Sequence, residues 1–176
     1  MHVSPNHKID GVEYIPSPNC EKRPKNTFPE IIVIHAISIP EGKYITQNII
    51  DLFTNNLDTK SHFSFKSLDG IKVSAHLLIT RNGNVLQFVP FDKKAWHAGV
   101  SSYRKRKNCN DFSIGIELEG CNYEDFNERQ YNSLNKILAV LMEHYGIKKE
   151  DIVGHSDIAP DRKTDPGPRF DWNQIK

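Results

Sequence analysis

The sharpest apolar pattern in the chain is Ile31-Ile32-Val33-Ile34, a β-branched run that follows a polar, proline-containing stretch. A run apolar at every position predicts a strand buried on both faces, and it closes on His35. Ile45, Ile49, Ile50, Leu52 and Phe53 fit a short helix imperfectly, and residues 55–70 read as polar loop. Two β-rich runs, 73–80 and 85–89, flank Arg81-Asn82-Gly83-Asn84. Asn-Gly in that position predicts a hairpin with a type I′ turn, whose two central residues both need φ > 0. Residues 91–111 predict a long loop, and 112–119 a strand apolar at Ile114, Ile116 and Leu118. Asn127 with Gln130 three residues on predicts a capping box. Behind it Tyr131, Leu134, Ile137, Leu138, Leu141, Met142 and Tyr145 recur at helical spacing, and Gly146 supplies the stop. Ile152-Val153 is a short extended segment leading into a proline-rich loop.

Strands interspersed with one long and one shorter helix predict a single α/β (α+β) domain, a central mixed β-sheet flanked by helices. Residues 1–28, with Pro5, Pro16, Pro18 and Pro24, read as an irregular arm wrapped on the domain formed by residues 29–176. A chain of 176 residues can bury one real core. Its 26% charged and 38% hydrophobic content is that of a folded soluble protein rather than a disordered one. A net charge of +1 supplies no global field toward nucleic acid or an anionic membrane, so neither is an expected partner. The run Arg104-Lys105-Arg106-Lys107 reads as a solvated loop. The opening MHVSPNHKID has no apolar signal-peptide core, and no run approaches the roughly 20 residues of a membrane span. Three cysteines without CxxC spacing fit a reducing compartment, so the expectation is a cytoplasmic monomer.

Candidate chemistry gathers in residues 154–168, GHSDIAPDRKTDPGP. Pro160, Pro166 and Pro168 argue against helix there and for a stiff loop that positions groups. His155 and Asp165 lie in this loop, and His35 ends the first core strand. Alone, His35 would more often be a hydrogen-bonded core histidine. Together the three form a natural ligand set for catalytic Zn²⁺, with a fourth position left for water or substrate. His35, His155 and Glu117 all stand at or near predicted strand ends, which places the cleft at that rim of the sheet. Lys163 precedes Asp165 by two residues, so in extended backbone both point to one side, where an ammonium can balance an oxyanion. Glu117 and Glu119 share one face of their strand. Either could act as general acid and base, leaving the other to pair with a basic residue. His76 and His97 are further cleft candidates, His62 a weaker one, and Trp96 is expected to pack.

The segments VIHAIS, VSAHLLITRNGNVLQFVPFDKKAWHAGVSSY, CNDFSIGIELEG and GHSDIAPDRKTDPGP resemble the zinc N-acetylmuramoyl-L-alanine amidases of the AmpD type. The match is nearly collinear from about Tyr14 to Trp172. The resemblance implies an amidase-like, peptidoglycan-recognition-type fold in which His35, His155 and Asp165 bind zinc. It implies that Glu117 is the catalytic carboxylate, that Lys163 assists at the oxyanion and that Glu119 is structural. Lys72, His97, Arg106 and Ala159 follow as substrate-contact candidates. The implied reaction is hydrolysis of the amide joining N-acetylmuramic acid to L-alanine, on the soluble 1,6-anhydro-muropeptide of cytoplasmic cell-wall recycling. Relatives among phage amidases and animal recognition proteins carry cysteine at the third ligand position, and non-catalytic ones lose it. Asp165 fills it here, which favours an enzyme over a muropeptide-binding module; the alternative of a lytic amidase acting on polymeric peptidoglycan differs in substrate rather than chemistry, and the missing signal argues against it. The chain departs from the family pattern at Ala36, where Asn is usual, at Lys72, where Arg is usual, and at Asn108, where a basic residue is common.

Overall fold

A computed structural model describes residues 1–176. In chain order the elements are β1 (Glu13–Tyr14), β2 (Cys20–Lys22), β3 (Ile31–Ile37), α1 (Thr46–Phe53), β4 (Leu77–Ile79), β5 (Val85–Gln87), β6 (Lys93–Ala95), β7 (Ser102–Tyr103), β8 (Arg106–Lys107), β9 (Ser113–Glu119), α2 (Glu128–Tyr145), β10 (Ile152–Gly154) and α3 (His155–Ile158). The β-branched run becomes β3, at the heart of a six-stranded sheet of order β1-β5-β4-β9-β3-β10. All pairings in it are parallel except β4 with β5, so the sheet is mixed.

Strand alternation divides the sheet into two faces. Ile32 and Ile34 of β3, Leu77 and Ile79 of β4, and Ile114, Ile116 and Leu118 of β9 point to one side. There they meet Tyr131, Leu134, Ile137, Leu138 and Leu141, the apolar stripe of α2. Burying each such aliphatic side chain contributes about 1.5–3 kcal/mol. The helix starts where the capping box lies: the Asn127 side chain accepts from Gln130 N at 3.2 Å, and Gln130 Oε1 accepts from Asn127 N at 3.3 Å. It stops at Gly146, in the left-handed region at φ 69°. On the other face α1 packs Ile49, Leu52 and Phe53 over Leu78, Leu86 and Phe88. The odd positions of β3 and β9 also point this way, and that side holds the site.

Five expectations need correction. Residues 91–111 are not all loop, because β6 pairs there with β2 and β7 with β8. The β4–β5 turn is not type I′: Gly83 N donates to Thr80 O at 2.8 Å and Thr80 N to Asn84 O at 2.9 Å. Only Gly83 of the central residues has positive φ, which makes this a type I turn closed by a glycine bulge. The cause is tertiary, because Arg81 N donates to the Glu119 carboxylate and a Cβ on Gly83 would meet Arg129 O at 2.7 Å. The arm is not wholly irregular, since β1 extends the central sheet and β2 pairs with β6. It is pinned by Arg23, which donates to the carbonyls of Phe91, Asn110, Asp111 and Ser113 at 2.8–3.2 Å. Residues 55–70 hold a 3₁₀ helix at Phe63–Leu68. The loop after β10 opens with one helical turn, α3, because its prolines come only after Ile158.

Candidate active site

Strand register brings the site together. In β3 and β9, His35 pairs with Glu117, side by side on one face. Gly154, the last residue of β10, pairs with Ile34, so His155 arrives beside His35. The stiff loop then returns, and Asp165 O accepts from Ser156 N at 2.9 Å. This sets Asp165 against both imidazoles.

Nδ1 of His35, Nδ1 of His155 and Oδ2 of Asp165 form a triangle with sides of 2.9, 3.0 and 3.1 Å. A tetrahedral ion with bonds of about 2.0–2.1 Å needs neighbouring donors roughly 3.3 Å apart. The triangle is within a few tenths of an ångström of that, so these residues fit a metal ion. His35 and His155 are almost fully enclosed, at 1% and 3% exposure, while Asp165 is half-buried. Burial presses His35 down to about 4 against the opposing hydrogen bond of Asp165, so its ring is neutral near pH 7. Burial would raise the Asp165 carboxyl, yet hydrogen bonds from His155 and His35 outweigh it and hold the group far below the usual range. A neutral His35 imidazole and an ionised Asp165 carboxylate are the forms in which these groups ligate a divalent cation.

A cavity of about 180 Å³ opens over this triangle, lined among others by Ala36, Trp96, His97, Glu117 and Lys163. Glu117 Oε2 is sealed from solvent and has no hydrogen-bond partner. Burial first, then the negative charge of Asp165, pushes the Glu117 carboxyl well above its ordinary value, with Lys163 partly opposing. Lys163 is half-buried on the cavity wall and makes no ion pair within 4.0 Å. A wider groove of about 470 Å³ shares Ala36, Ile37, Lys163 and Asp165 with this cavity and runs toward Pro40, Phe65 and Asn122.

Glu119 faces the same side but is committed elsewhere. Its carboxylate accepts from the Thr46 hydroxyl at 2.5 Å and from Arg81 N at 2.7 Å. Its partners are thus a helix-start hydroxyl and a turn amide, not the side chain of a basic residue.

The other candidates scatter. His97 reaches the cleft, but both ring nitrogens are engaged, Nδ1 with His35 Nε2 at 2.9 Å and Nε2 with Ser113 Oγ at 3.0 Å. His76 is fully buried, accepting from Gly115 N on Nδ1, with Nε2 3.0 Å from Lys93 O. His62 caps the 3₁₀ helix at the surface. Lys72 is exposed beside a separate pocket of about 260 Å³. Arg106 is held outside the cavity, ion-paired to Glu30 at 2.7 Å and stacked 3.9 Å over the Phe112 ring. Ala159 is buried and its carbonyl accepts from Arg162 N and Lys163 N, shaping the loop without lining the cavity. Sequence reasoning missed Ser113 and Asn110, whose Oδ1 takes the amides of His97 and Ala98 at 3.1 and 2.8 Å. It also missed Arg162, which donates to Ala98 O and Val100 O at 2.7 and 3.0 Å. No periodicity marks such residues, because their roles depend on contacts distant in sequence.

The N-acetylmuramoyl-L-alanine amidase family model matches residues 25–168. The 1,6-anhydro-N-acetylmuramyl-L-alanine amidase AmpD of Escherichia coli K12 is 46% identical over 166 residues, covering 94% of this chain and 91% of that one. The crystal structure of a selenomethionine AmpD derivative superposes with a TM-score of 0.96 at 43% identity, over 99% of this chain and 97% of the other. The amidase AmiD of E. coli, in complex with anhydro-N-acetylmuramic acid-L-Ala-D-γ-Glu-L-Lys, matches with a TM-score of 0.60 at 32% identity over 88% of this chain and 59% of that one. With the family model spanning residues 25–168 and a relative 46% identical over 94% of the chain, this protein belongs to the N-acetylmuramoyl-L-alanine amidase family.

Proposed function

We propose that this protein is a zinc-dependent amidase that hydrolyses the bond between 1,6-anhydro-N-acetylmuramic acid and L-alanine in soluble muropeptides of cell-wall recycling. The observation that carries the reading is the triangle of His35, His155 and Asp165 beneath a cavity that also holds an unpartnered Glu117 and a free Lys163. His35, His155 and Asp165 would hold Zn²⁺, which when bound would supply Lewis acidity toward the amide carbonyl and acidify water at the site.

The chain's own residues do the rest. Glu117, whose carboxyl is raised well above its ordinary value by burial and by Asp165, holds a proton more readily than an exposed glutamate does, as a group that takes and returns one must. It removes a proton from the attacking water and delivers it to the departing alanine nitrogen. Lys163 balances the charge that develops on the carbonyl oxygen, in a half-buried setting where a cation is worth more than in bulk water. Trp96 and Ala36 line the cavity where the substrate must lie. Ala36 presents a methyl, so recognition of the stem peptide there is by shape rather than by an amide hydrogen bond. No helix is long and apolar enough to cross a membrane.

The test is hydrolysis after metal removal. Chelated protein should release no stem peptide from a 1,6-anhydro-muropeptide, and added Zn²⁺ should restore release. Full activity after chelation would refute the metal mechanism. Cleavage of intact sacculi with the soluble fragment left untouched would refute the substrate assignment.

A further inference from the structure

The structure assigns to His97 and Ser113 a positioning role that the zinc reading above does not contain: together they accept along one hydrogen-bonded chain the proton on His35 Nε2, which leaves Nδ1 bare. The inference rests on that zinc reading.

An imidazole holds a metal only through a nitrogen without a proton, and a neutral ring carries its proton on the other one. His35 aims Nδ1 at the triangle, so its proton belongs on Nε2. His155 also aims Nδ1, and its Nε2 stands 3.2 Å from Ala98 O. A carbonyl can only accept, so His155 has one compatible tautomer. His35 has no such carbonyl. Its Nε2 faces His97 Nδ1 at 2.9 Å, and an imidazole nitrogen can donate or accept. The choice passes to the far side of His97, where Nε2 lies 3.0 Å from the hydroxyl of Ser113.

The chain of three groups has two polarities. In one, His35 Nε2–H donates to His97 Nδ1, and His97 Nε2–H donates to Ser113 Oγ. This leaves His35 Nδ1 bare for the metal. In the other, the Ser113 hydroxyl donates to His97 Nε2, and His97 Nδ1–H donates to His35 Nε2. His35 Nδ1 then carries a proton toward Asp165. Both forms hold the same number of protons, so the first can be set without any group ionising.

The surroundings are built to hold His97 in place. Its ring lies over Gly115, where a Cβ would come within 2.5 Å of the ring, so only glycine leaves room. Asn110 Oδ1 clamps the amides of His97 and Ala98. Because Ala98 O faces His155 Nε2, one loop supports both imidazole ligands. Outer partners of this kind typically set metal affinity by about 10–100-fold.

The experiment uses zinc-loaded protein. Long-range ¹H–¹⁵N correlation of the wild type should show His35 protonated on Nε2, with His97 bare on Nδ1 and protonated on Nε2. The reverse pattern on His97 would overturn the inference, and this measurement needs no variant to fold. In chelator competition with Zn²⁺ alone, His97→Leu, which fills the space without an acceptor, should weaken zinc binding about 10–100-fold. His97→Asn, whose Oδ1 can stand where Nδ1 was, should recover most of that loss. Equal affinity of His97→Leu and wild type, or equal loss in both variants, would sink the idea. Wild type that takes up no zinc would instead sink the zinc reading itself, so the two failures are distinguishable.

Discussion

Replacing Glu117 with methionine should make the metal-free protein more stable while abolishing its activity. Glu117 Oε2 is enclosed without a partner, and Asp165 adds a like charge nearby. A buried polar atom left without a hydrogen bond costs about 1–3 kcal/mol, and a flexible apolar side chain of similar length avoids that cost. For a chain of this size 1 kcal/mol moves Tm by about 2–4 °C, so the variant should melt roughly 2–12 °C higher. The gain should depend on pH in a stated direction. A carboxyl raised by folding binds more protons folded than unfolded between its two pKa values. The wild type therefore loses stability as pH climbs from the ordinary glutamate value of 4.5 toward the raised one, and the methionine variant does not. The difference between them should shrink toward pH 4 and widen toward pH 7. Calorimetry in chelator measures this, and chromatography of a muropeptide digest with zinc-loaded protein measures activity. A variant that melts lower than wild type at pH 7, or whose advantage grows on acidification, would refute the reasoning.

Glu119, two residues away on the same strand face, should respond oppositely. Glu119→Ala strips partners from the Thr46 hydroxyl and Arg81 N and should cost about 2–4 kcal/mol, read as a lower melting temperature with zinc affinity unchanged. Lys163→Met should keep zinc content and fold but lower kcat about 10²–10³-fold, the usual loss when one donor to an oxyanion is removed. An unchanged kcat in single-turnover kinetics would remove Lys163 from the mechanism.

Much of this was legible in the residues because it follows from local periodicity. The run ending in His35, the stripe on α2 and its Asn127–Gln130 cap each announce one element, and each is found where expected. Two of the candidate ligands, His35 and His155, could be named because they stand near the ends of strands that register then aligns, and Asp165 because it lies in the stiff loop that follows. Periodicity could not say which glutamate of β9 is free. That depends on Thr46 and Arg81, 73 and 38 residues away in sequence. The same contact, with the close approach of Arg129 to Gly83, overrode the type I′ preference of Asn-Gly. The family resemblance offered Arg106 as a substrate contact, yet Glu30 and the Phe112 ring hold it elsewhere. Propensity reads the neighbours along the chain, and these outcomes are decided by neighbours across the sheet.

On the zinc reading, the pairing of β10 with β3 also governs when the metal can be acquired. His155 follows His35 by 120 residues, and Asp165 follows it by 130. At a synthesis rate of roughly 5–20 residues per second, the ribosome leaves His35 without its partner imidazole for about 6–24 s. During that time the edge of β3 that β10 will cover is an open parallel edge, and no two ligands of the triangle coexist in the nascent chain. On the zinc reading, metal loading in the cell therefore comes only after the other five strands of the sheet have been synthesised.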